Sequence, residues 1–401
     1  MKKVVLAFSG GLDTSFSTVY LREELGYEVV TATIDTGGFS AEELHRIEER
    51  ARSLKVADHF SIDGRGYVYD RFISYIIKGN SLRGNVYPLS VGAERVAQAV
   101  ETARIARETG AEAVAHGSTG AGNDQIRFDV ALGVLVPDKT ILAPVRSLGW
   151  SRKQEAEWLQ ERGVEVSLEV QDYSINEGLW GTTIGGRETH DSWEFPPDSV
   201  FRKTKGPDDT PLEPRDIRIG FEKGLPVSLD GSTGDAVKRI EDLNRVAGCY
   251  GIGRGVHIGD TIMGIKGRIV FEAPAPMLLI AAHRELEKLV LSKQQRFWKD
   301  HLGQVYGDLL HEGLYFDPVM RDIEALIDSS QGRVTGEARV RLHRGTYMVT
   351  GVRSDASLMR GKLAVYGEQQ RLWDWRDAEG FSKIYGIPSR LYRLMGEESA
   401  E

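Results

Sequence analysis

The residues able to do chemistry in this chain begin at Ala7. The run Ala7-Phe8-Ser9-Gly10-Gly11-Leu12-Asp13-Thr14-Ser15 sets two glycines, three hydroxyls and a carboxylate directly after an apolar stretch. Glycines alone would make a tight strand-to-helix turn, with Asp13 and Thr14 as ordinary helix-start residues. The complete order of strand, Ser-Gly-Gly, acid, Thr-Ser and helix does more. Its successive backbone N–H groups form an anion nest, reinforced by the positive end of the helix dipole. The spacing G-x-x-x-x-G-K-[ST] is absent, and with it the lysine that reaches the terminal phosphates in P-loop ATPases. The loop speaks for phosphate binding and against γ-phosphoryl transfer.

A second stretch, His116-Gly117-Ser118-Thr119-Gly120-Ala121-Gly122-Asn123-Asp124-Gln125-Ile126-Arg127-Phe128, is glycine-rich and then polar. Such a cluster is often a flexible surface loop. Here it packs a hydroxyl, an amide, a carboxylate and a guanidinium close together, a set that can grip an amino acid: Arg and Thr for carboxylate oxygens, Asp for an ammonium.

These loops need elements to hold them. Residues 3–7 read as a buried strand, 14–25 as a helix, 28–34 as a second strand, and Ser40 with Glu43 as a capping box opening a helix to about residue 54. Residues 56–62 make a third strand, 92–108 a helix, 113–115 and 141–143 further strands, and Ser151 with Gln154 caps a helix ending near residue 163. Strand and helix in alternation predict an α/β fold with a doubly wound parallel sheet. Ligands of such sheets sit at the carboxyl ends of the strands, so both loops are expected on one edge. From about Gln171 a polar segment with irregular backbone runs to residue 209. Beyond it come strands at 216–221, 226–229 and within 258–271, and helices at 234–247, about 276–310 and 317–327. A hairpin turning at His343-Arg344-Gly345 completes a second, α+β domain. The tail, 379–394, is an amphipathic helix with aromatics of the kind that packs on a neighbouring subunit.

At 401 residues the chain is too long for one ordinary core. Its 27% charged and 41% hydrophobic residues fit a globular enzyme, not a disordered or membrane protein. No apolar run is long enough to span a bilayer, and residues 4–8 are too short for a signal peptide. One cysteine, Cys249, excludes a disulfide framework and fits a reducing, cytoplasmic setting; it reads as a small buried residue, not a nucleophile. A net charge of −8 argues against a nucleic-acid partner.

S-G-G-x-D-[ST] resembles the signature loop of the ATP-pyrophosphatase superfamily, whose fold is adenine nucleotide alpha hydrolase-like. Residues 116–128, "YSINEGLWG" at 173–181 and the following "PPDSVF" are similar to the argininosuccinate synthase family, and the resemblance covers nearly the whole chain. It implies a ligase forming a C–N bond in arginine biosynthesis: the ureido oxygen of citrulline attacks the α-phosphate of ATP, and aspartate's amine then displaces AMP. It places ATP, with Mg2+ bridging its phosphates, on Ala7, Phe8, Ser9, Gly10, Gly11, Leu12, Asp13, Thr14 and Ser15, near Ile34, and at Gly117. Aspartate falls to Thr119, Asn123 and Asp124; citrulline to Tyr87, Asn123, Arg127, Ser174 and Thr183. It implies no resident metal site, no membrane, and a homotetramer. The division expected is 1–170 for the nucleotide domain, 171–365 for a synthetase domain and 366–401 for an oligomerisation tail. Tyr87 serves equally well as a core aromatic, and Ser174 with Glu177 also has capping-box spacing. No general base stands out; His116 is the nearest histidine.

Three citrulline-side positions depart from the family: Gly92 replaces a serine, Gly259 a glutamate and Phe271 a tyrosine. Either Asp260 or Glu94 takes over the substrate's ammonium, the plainer reading, or the α-amine is acylated and carries no charge. Among rival functions, tRNA thiolation wants paired cysteines and a basic surface, and a glutamine-dependent synthetase needs a glutaminase cysteine domain. An idle ATP-binding module, of another class, is opposed by the intact Asp13, Asp124 and Arg127.

Overall fold

A computed structural model describes residues 2–166, 172–359, 361, 366–367 and 372–398. The amino-terminal part alternates as expected. In order come β1 (Lys3–Ala7), α1 (Leu12–Glu23), β2 (Glu28–Asp35), α2 (Ala41–Ser53) and β3 (Asp58–Asp63). A helical stretch not expected from the sequence follows: α3 (Arg65–Val68), one wide π turn (Tyr69–Ile73) and α4 (Ser74–Gly79). Then come α5 (Gly92–Glu108), β4 (Ala113–His116), α6 (Asp124–Leu135), β5 (Thr140–Leu142), α7 (Pro144–Leu148) and α8 (Arg152–Glu161). The five strands are parallel in the order β3-β2-β1-β4-β5, which reverses direction between β1 and β4.

Alternation along the strands explains the double winding. Val4 and Leu6 of β1 join Phe16 and Val19 of α1, Ile47 of α2 and Leu159 of α8 in one core. Val5, between them in sequence, points the other way and packs with Ala99 and Ala103 of α5 and Phe128 and Leu132 of α6. Both capping boxes form: Ser40 accepts from the Glu43 N–H, and Ser151 from that of Gln154.

The next part is where expectation and structure diverge. Residues 171–209 are not wholly irregular: β6 (Ser174–Gly178) and β7 (Gly181–Gly185) form a hairpin. Ser174 therefore opens a strand and caps no helix, correcting the capping-box reading. Alternating Ser-Ile-Asn-Glu-Gly resembles a helix start because strand pairing, not local capping, decides it. Next come β8 (Arg215–Glu222), β9 (Leu225–Leu229), β10 (Ser232–Thr233), α9 (Ala236–Cys249), β11 (Arg254–Asp260) and β12 (Lys266–Glu272). The single long helix expected near 276–310 is two, α10 (Pro274–Val290) and α11 (Lys293–His311), divided by a capping box at Ser292. Helix α12 (Pro318–Gln331) and the hairpin β13 (Gly336–His343) and β14 (Thr346–Arg353) complete this unit, Met1–Ser354. Two antiparallel sheets result, β10-β9-β8-β13-β14 and β11-β12-β7-β6.

The β11-β12-β7-β6 sheet is tied to the parallel-sheet part through the β6–β7 turn. Leu179 N donates to Thr36 O (2.8 Å) just past β2, and Trp180 Nε1 donates to Pro88 O (2.8 Å) just before α5. A buried polar cluster braces the helices behind: Lys299 Nζ on Glu287 (2.7 Å), and His283 on Asn80 (2.7 Å) and Gln331 (2.9 Å).

The second unit, Asp355–Glu401, contains α13 (Trp375–Tyr385) and α14 (Ile387–Glu398). The one tail helix expected is thus two, separated at Gly386. Its Trp375, Phe381, Tyr385, Leu391 and Tyr392 are exposed. The expected domain breaks at 170/171 and 365/366 touch residues outside the described set.

Trp180 is 1% exposed, and its indole is the partner of a buried carbonyl. Trp180→Phe should keep the fold and lose about 1–3 kcal/mol, the cost of an orphaned buried acceptor. Urea unfolding measures this; an unchanged midpoint would dismiss the brace.

Candidate active site

The glycine loop begins where β1 stops. Phe8 still belongs to the sheet, its N–H donating to Ala32 O (2.8 Å) and its carbonyl accepting from Thr33 Oγ1 (2.8 Å). Gly10 then turns with φ +74°, a conformation that strains any residue with a Cβ; that Cβ would also stand 3.0 Å from Ile47 Cγ1. Gly11 is the extended residue before α1, and no side chain caps this helix start. The first-turn N–H groups of α1 thus keep free hydrogens at the carboxyl edge of the sheet. Thr14 shapes the loop from inside: its hydroxyl donates to Gly11 O (3.3 Å) and accepts from Ser9 N (3.4 Å).

Strands β1 and β4 are neighbours at the reversal point, so the loop after β4 lands on the same spot. A Cβ on Gly117 would lie 2.8 Å from Thr14 Cγ2, and the backbones touch there only because residue 117 has none. Ile34 lies buried near the end of β2 on the same edge.

Two carboxylates lie beside this loop. Asp13 has an Oδ1 shielded from solvent with no hydrogen-bond partner, and Arg152 Nε stands 3.8 Å from it. Burial raises the Asp13 carboxyl above its usual range, with Arg152 opposing. Glu155, one turn along α8, is 1% exposed with an unpartnered Oε2; burial, then the charge of Asp13, pushes it up to about 7. Among the described residues no group of three or more His, Cys, Asp or Glu is placed to hold a metal ion. Two orphaned oxygens of this kind do fit a hard divalent cation whose other ligands are phosphate oxygens and water.

The second loop is organised by one ion cluster. Asp124, first residue of α6, accepts from Arg95 Nε (2.9 Å) and Arg127 Nη1 (2.7 Å). Desolvation pushes its carboxyl up, but the two guanidiniums outweigh this and hold it well below the carboxylate range. Arg95 also donates to Asn176 Oδ1 (2.9 Å) on β6. Asn176 pairs with Thr183, which pairs with Phe271, and Phe271 packs against Tyr87 with ring centroids 5.3 Å apart. Asp124, Thr183, Tyr87 and Arg127 are thereby joined in one continuous wall. Asn123 faces it, its Oδ1 accepting from Ile262 N (3.0 Å) in the β11–β12 turn. Thr119 is exposed on the loop, and Ser174 is exposed one strand repeat beyond Asn176, at the outer margin of the wall.

His116 does not stand free as a base. Its Nδ1 accepts from Ser118 N (3.2 Å), its Nε2 meets Asp129 (3.0 Å), and its ring stacks on Phe128. The two expected substitutes for the missing glutamate differ in their partners: Glu94 Oε1 is buried with none, whereas Asp260 is in an ion pair. Asp260 is paired with Lys266 Nζ (2.7 Å), and Glu94 faces Gly178, whose Cβ, if present, would overlap Glu94 Oε1 at 1.5 Å. Sequence reasoning missed Arg95, Asn176, Glu155, His257 and His311. Only Arg95 had a signal, as the first cation on the α5 face bearing Gly92.

A lysine-free glycine nest at the reversal point of a parallel sheet, met by a polar loop from the adjacent strand, defines a nucleotide-binding domain of the HUP class. The model described as "Arginosuccinate synthase N-terminal HUP domain" matches residues 3–165, and "Arginosuccinate synthase C-terminal domain" matches 173–392. The chain belongs to the argininosuccinate synthase family. It is 39% identical to an argininosuccinate synthase of Dictyoglomus turgidum over 400 residues, covering 100% of this chain and 99% of that one. It is 38% identical to one of Methanocaldococcus jannaschii over 390 residues, covering 97% and 98%, and 40% identical to one of Trichodesmium erythraeum over 392, covering 97% of each.

Glu94 gives a pH test of this interior. It is 2% exposed, and burial pushes its carboxyl up to about 8 against the pull of Arg95 and Lys203. Between the ordinary carboxylate range and that value the folded chain holds a proton that the unfolded chain has lost, so stability falls as pH rises. Glu94→Gln should therefore raise the melting temperature little in acid and progressively more toward mildly basic pH. A gain independent of pH would contradict this.

Proposed function

We propose that the chain condenses citrulline with aspartate, consuming ATP and releasing AMP and pyrophosphate. The observation that supports this most is the seating of the Gly117 loop on the first turn of α1, which sets an amino-acid-gripping loop against a phosphate nest. The nest holds the two outer phosphoryl groups, leaving the α-phosphorus open on the side of Asn123 and Arg127. Citrulline's ureido oxygen attacks that phosphorus and pyrophosphate departs. Aspartate's amine nitrogen then bonds to the ureido carbon, loses its proton, and AMP departs with the former ureido oxygen. Expelling AMP is far easier than expelling hydroxide from a urea carbon, which is why the adenylate forms first. Proximity of reactants is the main catalytic contribution and can reach roughly 7–11 kcal/mol.

Ala7 to Ser15, Ile34 and Gly117 serve ATP; Thr119, Asn123 and Asp124 serve aspartate; Tyr87, Asn123, Arg127, Ser174 and Thr183 serve citrulline. Asp124 stays ionised between Arg95 and Arg127, which suits it to an ammonium. Asp13 and Glu155 would hold Mg2+ against the phosphates, where the ion supplies positive charge that no loop lysine provides. Residues 1–170 form the nucleotide domain, 171–365 the synthetase domain, and 366–401 an oligomerisation tail whose exposed aromatics suit a homotetramer. No helix among the described residues is long and apolar enough to cross a membrane, and the lone Cys249 suits a cytoplasmic enzyme.

With citrulline labelled by 18O in its ureido group, the label should appear in AMP, and AMP should form only when all three reactants are present. ADP and orthophosphate as products would refute the reading. Asp13→Asn and Glu155→Gln should each weaken Mn2+ binding in the presence of ATP by roughly tenfold or more, read by the loss of free-ion EPR signal. Unaltered Mn2+ affinity in both would remove the cation assignment.

A further inference from the structure

The amino-acid loop is held from behind by a run of side-chain bonds that leaves it and returns to it. His116, the last residue of β4, is 1% exposed. Its Nδ1 accepts from Ser118 N (3.2 Å), and its Nε2 meets Asp129 Oδ1 (3.0 Å) on α6. Arg146 of α7 donates to both oxygens of Asp129 and, from the same Nη1, to Gln125 Oε1 (3.2 Å). Gln125 in turn donates from Nε2 to Gly120 O. The two anchors in the loop are therefore Ser118 and Gly120. Thr119 lies between them, its backbone fixed on both sides and its side chain exposed.

Each bond in the run has a set direction. A backbone N–H can only donate, so His116 Nδ1 must offer its lone pair to Ser118. Desolvation pushes the Asp129 carboxyl up, but the bonds from His116 and Arg146 outweigh this and hold it below its ordinary value. Asp129 is thus an acceptor only, and His116 Nε2 carries the hydrogen. The imidazole is neutral, in one tautomer, with both nitrogens matched. The charges at this ring are those of Asp129 and, behind it, Arg146; α6 also contributes Phe128, stacked on the ring at 5.2 Å, and β1 contributes Ala7 beside it. A second proton on His116 would set N–H against N–H at Ser118. That contact is the one to break, because the Asp129 side of the ring only gains from the added charge.

We propose that His116 is a positioning residue for the second half of the reaction: as the neutral tautomer it fixes Ser118, and through it the reach of Thr119 toward aspartate. Protonation of the ring releases Ser118, so aspartate binding is the proton-sensitive step. The inference rests on the ligase reading above and on Thr119 serving aspartate. The phosphate nest and the wall at Arg127 are built on other bonds.

AMP formation by the full-length protein should be followed at saturating ATP and citrulline with aspartate varied, from mildly acidic to mildly basic pH. KM for aspartate should rise in acid while KM for ATP changes little. His116→Asn puts a non-titrating oxygen where Nδ1 accepts, so it should keep KM for aspartate near the unsubstituted value at neutral pH and lose the acid rise. His116→Gln reaches Asp129 but leaves Ser118 N without an acceptor, and should raise KM for aspartate by roughly tenfold at every pH, the effect of one lost hydrogen bond. Gln125→Leu opens the run at its other end. It should raise KM for aspartate similarly while keeping the acid rise, and it carries the test if the His116 variants do not fold. A KM for aspartate that ignores pH in the unsubstituted protein overturns the proposal, as does an acid rise that survives His116→Asn. So does either His116→Gln or Gln125→Leu raising KM for ATP as much as for aspartate, the mark of a loop loosened as a whole. No AMP from the unsubstituted protein with all three reactants would take down the ligase reading itself.

Discussion

Asp124, held between Arg95 and Arg127, is the joint on which the site depends. It starts α6, so it fixes the amino-acid loop to the parallel sheet. Through Arg95 it reaches Asn176 and hence the β6–β7 hairpin, and through Arg127 it reaches His311 at the end of α11. Three segments far apart in sequence meet at one carboxylate. Removing one partner leaves the others uncompensated, at a cost that solvent softens because the Asp124 side chain is 36% exposed. The cluster also fixes charge: both arginines hold the acid ionised, so its charge does not vary with pH in the neutral range.

The nucleotide side depends on backbone, not on charged side chains. Gly10 and Gly117 exist for their missing Cβ atoms, one because of its φ and one because another loop passes over it. Such a nest binds anions by oriented N–H groups whose positions are set by β1, β4 and α1 before any ligand arrives. Preorganised donors lose little on binding, which suits a loop that must keep pyrophosphate while adenylate leaves.

Much of the fold was legible because it was locally encoded. The β1–α1–β2–α2 order, the two capping boxes and helix 92–108 follow from period and cap chemistry that neighbours do not override. The glycine loop and the 116–128 loop were legible for the same reason, each being one continuous stretch. The β6–β7 hairpin was misread because its residues are ordinary in isolation, and pairing with β12 is what makes them strands. The site residues that escaped share one property. Asn176, His257, His311 and Glu155 come from four distant elements and gain meaning only from a neighbour: an arginine, a tyrosine ring, a glycine, another acid. Long-range juxtaposition has no local period.

The turn between β11 and β12 has one more implication. Ile262 N occupies Asn123 Oδ1, and His311 occupies Arg127, so these two side chains are already satisfied from within the chain. A molecule that bonds to Asn123 Oδ1 or Arg127 must swap bonds instead of adding them. Recognition then turns on which guest can replace what the cleft gives up, so a poorly matched molecule is rejected by an internal competitor as much as by a lack of fit.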